Sequence, residues 1–137
     1  MTRKAINFSQ KFALFSEQWA PKVVAEMNDY QFKIVKLCGD FVWHDHKDTD
    51  ETFIVIEGDL RIDFRDGSVN ISKGEMYVVP KGVEHKPYAK DEVKLLLIEP
   101  RGVVNTPASW RVRSNAPVLC ANAASPRTHR ARHVRSC

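Results

Sequence analysis

Between Lys22 and Glu99 the chain is cut again and again by turn signals, and this punctuation limits its fold more than any other feature. Asn28-Asp29, Gly39-Asp40, Gly58-Asp59, Asp66-Gly67, Lys73-Gly74 and Pro80-Lys81-Gly82 each interrupt a run rich in β-branched and aromatic residues. The runs between them are Lys22–Met27, Tyr30–Cys38, Phe41–His46, Thr52–Glu57, Leu60–Phe64, Val69–Ile71, Met76–Val79, His85–Tyr88 and Val93–Glu99. Such lengths suit strands rather than helices. In Tyr30–Cys38, Phe32 and Ile34 share one face with Lys36, and Val35 and Leu37 share the other, as strand alternation requires. Asp66-Gly67 is a strong hairpin signal. The expected fold class is all-β, a sandwich or barrel, with a jelly roll the natural candidate.

The two ends differ from this middle. In residues 1–20, Phe8, Phe12, Phe15 and Trp19 are spaced to share a helix face, so a short helix or an irregular arm is expected, ended by Pro21. Residues 21–106 make the barrel, and 137 residues leave no room for a second domain. Residues 1–100 carry 14 Lys+Arg against 17 Asp+Glu, whereas 101–137 carry seven Arg and no acid. The basic pI therefore belongs to the tail, 107–137, and gives no reason to expect a nucleic-acid-binding domain. That tail lacks any hydrophobic period and is expected to be a disordered solvated end, a basic arm, or a non-native terminus from an altered reading frame. His129 and His133 lie there, i,i+4 apart, without the company that would make them ligands. The longest run of large apolar residues, Leu95–Ile98, is far short of a membrane span. No secretory leader is expected, and three cysteines without a C-x-x-C suit a reducing cytoplasm better than a disulfide framework.

The chemistry is concentrated in two stretches. One runs from Gly39 through His44, Asp45, His46 and Glu51 to Gly58; the other from Gly74 through Pro80 and Gly82 to His85. On a strand, His44 and His46 point to one face while Trp43 and Asp45 point to the other. Their Cα atoms would lie about 7 Å apart, which suits two ligands on one ion. Glu51 begins the next strand, and His85 follows a rigid turn and can approach from another. A single buried histidine is ordinarily a hydrogen-bonded core group. Burying three imidazoles and a carboxylate together without a cation would be costly. One divalent metal ion is therefore expected on His44, His46, Glu51 and His85. Imidazole and carboxylate without thiolate suit Fe, Mn, Ni, Co or Zn rather than a structural cysteine-type site.

These stretches resemble the two signature motifs of the cupin superfamily, G-x(5)-H-x-H-x(3,4)-E-x(6)-G and G-x(5)-P-x-G-x(2)-H-x(3)-N. Gly39 precedes His44 by one residue fewer than the pattern, and Ala89 stands in place of the final Asn. The resemblance covers roughly residues 5–106 and is greatest to small single-domain bacterial cupins often labelled mannose-6-phosphate isomerase-like. It implies a jelly-roll barrel of the double-stranded β-helix type and a homodimer, and it assigns the four metal ligands to the same residues. As the fold hosts many activities, it does not by itself name a reaction.

Two function classes follow. The chain is expected to act on a small sugar-like or anionic metabolite, with isomerase-type chemistry the first reading and an Fe(II)-dependent dioxygenase the alternative. Otherwise it is a non-catalytic, metal-dependent binding module. An isomerase needs a base beside the metal. Glu57 shares the parity of Glu51 but falls at a strand end, where a solvated turn is the simpler role. Lys36 and Arg61 are the available phosphate clamps, though both also suit an ordinary exposed strand position. Phe41, Phe53 and Val55 are expected to line the pocket. Trp43, Ile54 and Ile56 fall on the outer face, and an arm of 20 residues looks too short to cover it, so a second subunit is expected there.

Overall fold

In the computed structural model, residues 2–103 are described. The tail and its two histidines lie outside them, as does the end of the expected barrel. The elements are helix α1 (Phe8–Phe12) and strands β1 (Lys22–Met27), β2 (Tyr30–Asp40), β3 (Glu51–Glu57), β4 (Asp59–Phe64), β5 (Gly67–Ser72), β6 (Met76–Val79) and β7 (His85–Pro100).

All pairings between these strands are antiparallel, and β7 organises them. Its C-terminal half lies between β2 and β3, completing the order β1-β2-β7-β3-β6. Its N-terminal half pairs with β4, from Arg61–Tyr88 to Phe64–His85, and β4 carries β5 as a hairpin. One 16-residue strand therefore belongs to both walls of the barrel. The two runs expected at His85–Tyr88 and Val93–Glu99 are the halves of this strand, which stays extended through residues 89–92 although its register with β2 steps there from Gly39–Ala89 to Leu37–Val93. The opposite correction applies to Phe41–His46. Residues 41–50 form no strand, and only an isolated bridge between His44 and His85 remains.

The chain needs room to turn beside β7. Gly58 supplies it, with φ +90° and a position where a Cβ would stand 3.0 Å from the Glu92 carbonyl oxygen and 3.2 Å from the Val93 Cα. Only a residue without a side chain fits both the dihedral and the space.

The interior is apolar. Val35 and Leu37 of β2, Phe53 and Val55 of β3, Leu60 and Ile62 of β4 and Leu95 and Leu97 of β7 are all buried in one cluster. A second cluster lies outside the sheet, where Phe12 packs on Ile34 and Leu96 with Phe8, Phe15, Ile54 and Ile56 around it. Phe12 is 1% exposed, and burying such a side chain stabilises by about 1.5–3 kcal/mol. The arm thus covers Ile54 and Ile56, contrary to the expectation that it was too short. Its helix, capped by Asn7 on the Gln10 amide at 2.9 Å, ends at Phe12. Trp19 does not extend its face. Trp43 is not covered by the arm; Arg65 lies over its ring at 3.8 Å. Cys38 is disulfide-bonded, against the expectation of unpaired thiols, and Cys120 and Cys137 lie outside the described residues. Among the described residues no helix is long and apolar enough to cross a membrane.

Candidate metal centre

His44, His46, Glu51 and His85 come together at the barrel mouth, each offering a ligand atom within 4.8 Å of the others. The irregular segment before β3 is held in place by backbone bonds. His44 N–H donates to the His85 carbonyl at 3.1 Å, and His85 N–H donates back to the His44 carbonyl at 2.9 Å. The Pro80–Gly82 turn fastens the rest. Gly82 N–H donates to the His46 carbonyl at 2.8 Å, and Lys81 N–H donates to Asp50 Oδ1 at 2.8 Å. The two motifs are therefore tied to each other through the turn residues that made them recognisable.

Hydrogen bonding sets the protonation of the rings. His44 Nδ1 lies 2.9 Å from the Val42 carbonyl and His85 Nδ1 lies 2.8 Å from the Val83 carbonyl. A carbonyl oxygen only accepts, so both Nδ1 atoms carry a proton, and in the neutral ring Nε2 presents its lone pair. Metal-binding histidines are commonly oriented this way. His85 Nε2 and His46 Nε2 each stand 3.2 Å from the same Glu51 oxygen, Oε2. The His46 contact meets the distance but not the angle of a hydrogen bond, and this buried Nε2 has no other partner. Two imidazole Nε2 atoms thus converge on one carboxylate oxygen, a donor set that a cation would complete.

The electrostatics agree. Burial lowers the His44 pKa, as does the nearby His85. His46 is raised by the adjoining Glu51 carboxylate, against its burial. Burial would raise the Glu51 carboxyl, but His46 and His85 outweigh it and bring it down to about 2. The glutamate is ionised at neutral pH and sits among imidazoles. Three nitrogens and one carboxylate oxygen, with no thiolate, fit a divalent transition metal.

A small cavity adjoins the cluster, with about 40 Å³ of space open to water. Phe41 and Phe53 line it together with Trp19, Leu37 and Leu97, and His44 and Glu51 form its polar side. Val55 lies deeper, 1% exposed in the core. Trp19 could not have been placed by a helical reading. It adopts φ +60°, its N–H donates to the Lys36 carbonyl at 2.8 Å and its Nε1 donates to the Cys38 carbonyl at 3.1 Å. Its ring stacks on Phe41 with centroids 4.8 Å apart.

The other residues weighed from the sequence are engaged elsewhere. Glu57 is 55% exposed and pairs with Lys73 at 3.2 Å. Lys36 Nζ donates to the Phe15 carbonyl at 2.6 Å, and Arg61 pairs with Asp63 at 2.7 Å. Lys33 and Glu99, by contrast, were missed. They form a buried ion pair of 2.7 Å, and each shares strand parity with inward-facing neighbours, Val35 and Leu37 for Lys33, Leu95 and Leu97 for Glu99. That parity was the available signal.

Residues 35–99 match the family described as the Cupin domain. A solved cupin-2 domain-containing protein from Shewanella frigidimarina is 64% identical, with a TM-score of 0.70, over 70% of this chain and 94% of its own. The chain belongs to the cupin family. This cupin is also similar to a solved Neisseria meningitidis protein, at 42% identity and TM-score 0.65, covering 71% of this chain and 99% of that one. An uncharacterized Bacillus subtilis protein, YdbB, is 38% identical over 71 residues, which are 51% of this chain and 63% of YdbB. The match thus spans just under two thirds of that relative's length.

Proposed function

We propose that this cupin holds one divalent metal ion on His44, His46, Glu51 and His85 and uses it to bind and act on a small sugar-like or anionic metabolite. The observation that carries the metal reading is the convergence of two Nε2 atoms on one Glu51 oxygen, both at 3.2 Å. When bound, the ion would polarise an oxygen of the ligand and leave positions free for it. The protein's own residues orient the ligand and restrict water. His44 and Glu51 face the cavity, and Trp19, Phe41 and Phe53 give it an apolar wall.

Isomerase-type chemistry is the first reading of the reaction. It does not run through Glu57, Lys36 or Arg61, whose polar groups are engaged away from the centre. The apolar wall favours a second reading, Fe(II)-dependent dioxygenation of a ligand with a flat or hydrocarbon face. Metal analysis of protein purified without a tag, followed by oxygen-uptake and sugar-phosphate isomerase assays, separates them. Stoichiometric iron with oxygen uptake supports the dioxygenase; isomerisation without oxygen uptake supports the isomerase. Bound metal without turnover on either panel supports a binding module.

We also propose a homodimer. Met76 and Val78 on the outer side of β6 are 56% and 43% exposed, beyond the part of the sheet that α1 covers. Sedimentation equilibrium should give twice the chain mass; a monomer at micromolar concentration would contradict this.

A further inference from the structure

Among the described residues, two other than glycine have a left-handed backbone, Asn28 at φ +54° and Trp19 at φ +60°. Asn28 stands in the β1–β2 turn, where asparagine tolerates this conformation. A bulky residue does not, and such strain persists only where the surroundings enforce it. Along β2, the pairing with β1 reaches no further than Ile34. Beyond that point Trp19 bonds to the carbonyls of Lys36 and Cys38, donating from its backbone N–H at 2.8 Å and its indole Nε1 at 3.1 Å. The residue between those carbonyls is Leu37, which lines the cavity beside the candidate centre. Trp19 lines the same cavity, and its ring is stacked on Phe41 with 12° between the planes. Phe41 in turn meets His44 edge-on, with centroids 4.9 Å apart. A tryptophan serving only as packing has no need of a strained backbone, and this one is half-buried.

We infer that Trp19 is the specificity-determining residue of the candidate metal centre, admitting short aliphatic ligands that reach the metal through two oxygens and rejecting aromatic ones. Leu37, Phe53 and Leu97 form the buried side of the cavity, and Trp19, Pro21 and Phe41 form its half-buried side. The N-terminal arm thus supplies part of the edge that a ligand must pass. A cavity of about 40 Å³ has room for about three waters, and so for an apolar end of about three non-hydrogen atoms. Its polar lining, His44 and Glu51, lies at the metal, so the ligand's oxygens belong there and its carbons against the aromatic wall. Four protein ligands leave two positions on a six-coordinate ion. Trp19 is held at two hydrogen bonds and one stacked face, so it limits the carbon end instead of swinging aside. This inference rests on the metal reading above and narrows its ligand.

The test is titration of the cobalt(II)-loaded full chain with acetohydroxamate and benzohydroxamate, followed in the visible cobalt spectrum, with cobalt content measured in parallel. The two probes share a chelating group and differ in a methyl against a phenyl. Wild type is compared with Trp19→Gly, which opens the cavity and relieves the left-handed strain. If that variant does not fold, Trp19→Asn, which also tolerates this backbone, takes its place. Wild type is expected to bind acetohydroxamate roughly tenfold or more tightly than benzohydroxamate. The variant is expected to hold cobalt as wild type does and to bind benzohydroxamate roughly tenfold better, with acetohydroxamate nearly unchanged. A purely structural role would weaken both probes together. Equal affinity of wild type for the two probes overturns the inference, as does a folded variant that keeps the wild-type preference. Failure of cobalt-loaded wild type to bind either probe also overturns it and leaves the metal reading standing. A wild type that takes up no cobalt overturns the metal reading and the inference with it.

Discussion

Replacing Gly58 by alanine separates two costs that the fold imposes on its motif glycines. At φ +90° an alanine pays backbone strain of about 1–3 kcal/mol. Its Cβ would also meet the Glu92 carbonyl at 3.0 Å and the Val93 Cα at 3.2 Å, both backbone atoms of β7. They can yield only if the strand moves, and overpacking of this kind costs about 1–3 kcal/mol more. Gly74 is the control. It has φ +83°, yet nothing lies within 4 Å of an added Cβ, so Gly74→Ala pays the strain alone. Each kcal/mol moves the melting temperature of a domain of about 100 residues by roughly 4–8 °C. Gly58→Ala should therefore melt lower than Gly74→Ala by roughly 4–24 °C in a reversible thermal scan by circular dichroism. Equal shifts for the two variants would refute the reasoning, because they would show that β7 does not press on the β3–β4 turn.

Three further outcomes follow from the structure. Phe12→Ala should cost about 3–5 kcal/mol in denaturant unfolding while leaving metal content unchanged, since the helix packs on the sheet's outer face. Lys33→Met alone should cost about 3–5 kcal/mol by removing the cation paired with the buried Glu99 carboxylate, and adding Glu99→Leu should recover most of it. In metal-free protein, the Glu51 carboxyl falls from its ordinary 4.5 to about 2 on folding. Its contribution to stability is therefore present above pH 4.5 and lost as the pH drops toward 2; Glu51→Gln should flatten that part of the pH–stability curve.

The extent to which the sequence disclosed this structure depended on how local each determinant was. Strands β1, β4, β5 and β6 were legible because turn residues bracket them and their periodicity is simple. The runs on either side of Ala89–Lys90 were read as two strands. No local signal shows that one extended strand runs on through an irregular step of register between the two walls. Phe41–His46 has strand composition, but its backbone is set by bonds to His85 and Gly82, which are remote in sequence. The histidine and glutamate cluster was legible as a set, since spacing and residue type sufficed. Trp19 was not, because its place in the cavity depends on a left-handed backbone fixed by the carbonyls of Lys36 and Cys38. Lys33 and Glu99 follow the inward parity of their strands, and only their charge disguised them as surface residues.

The most direct measurement is the metal content of untagged protein dialysed against one divalent metal at a time, for wild type and the His44→Ala/His85→Ala variant. One ion per chain in wild type, and little or none in a variant that keeps its far-ultraviolet circular dichroism, is the predicted result. A folded double variant with full metal content, or a wild type that retains none of the metals offered, would contradict the account.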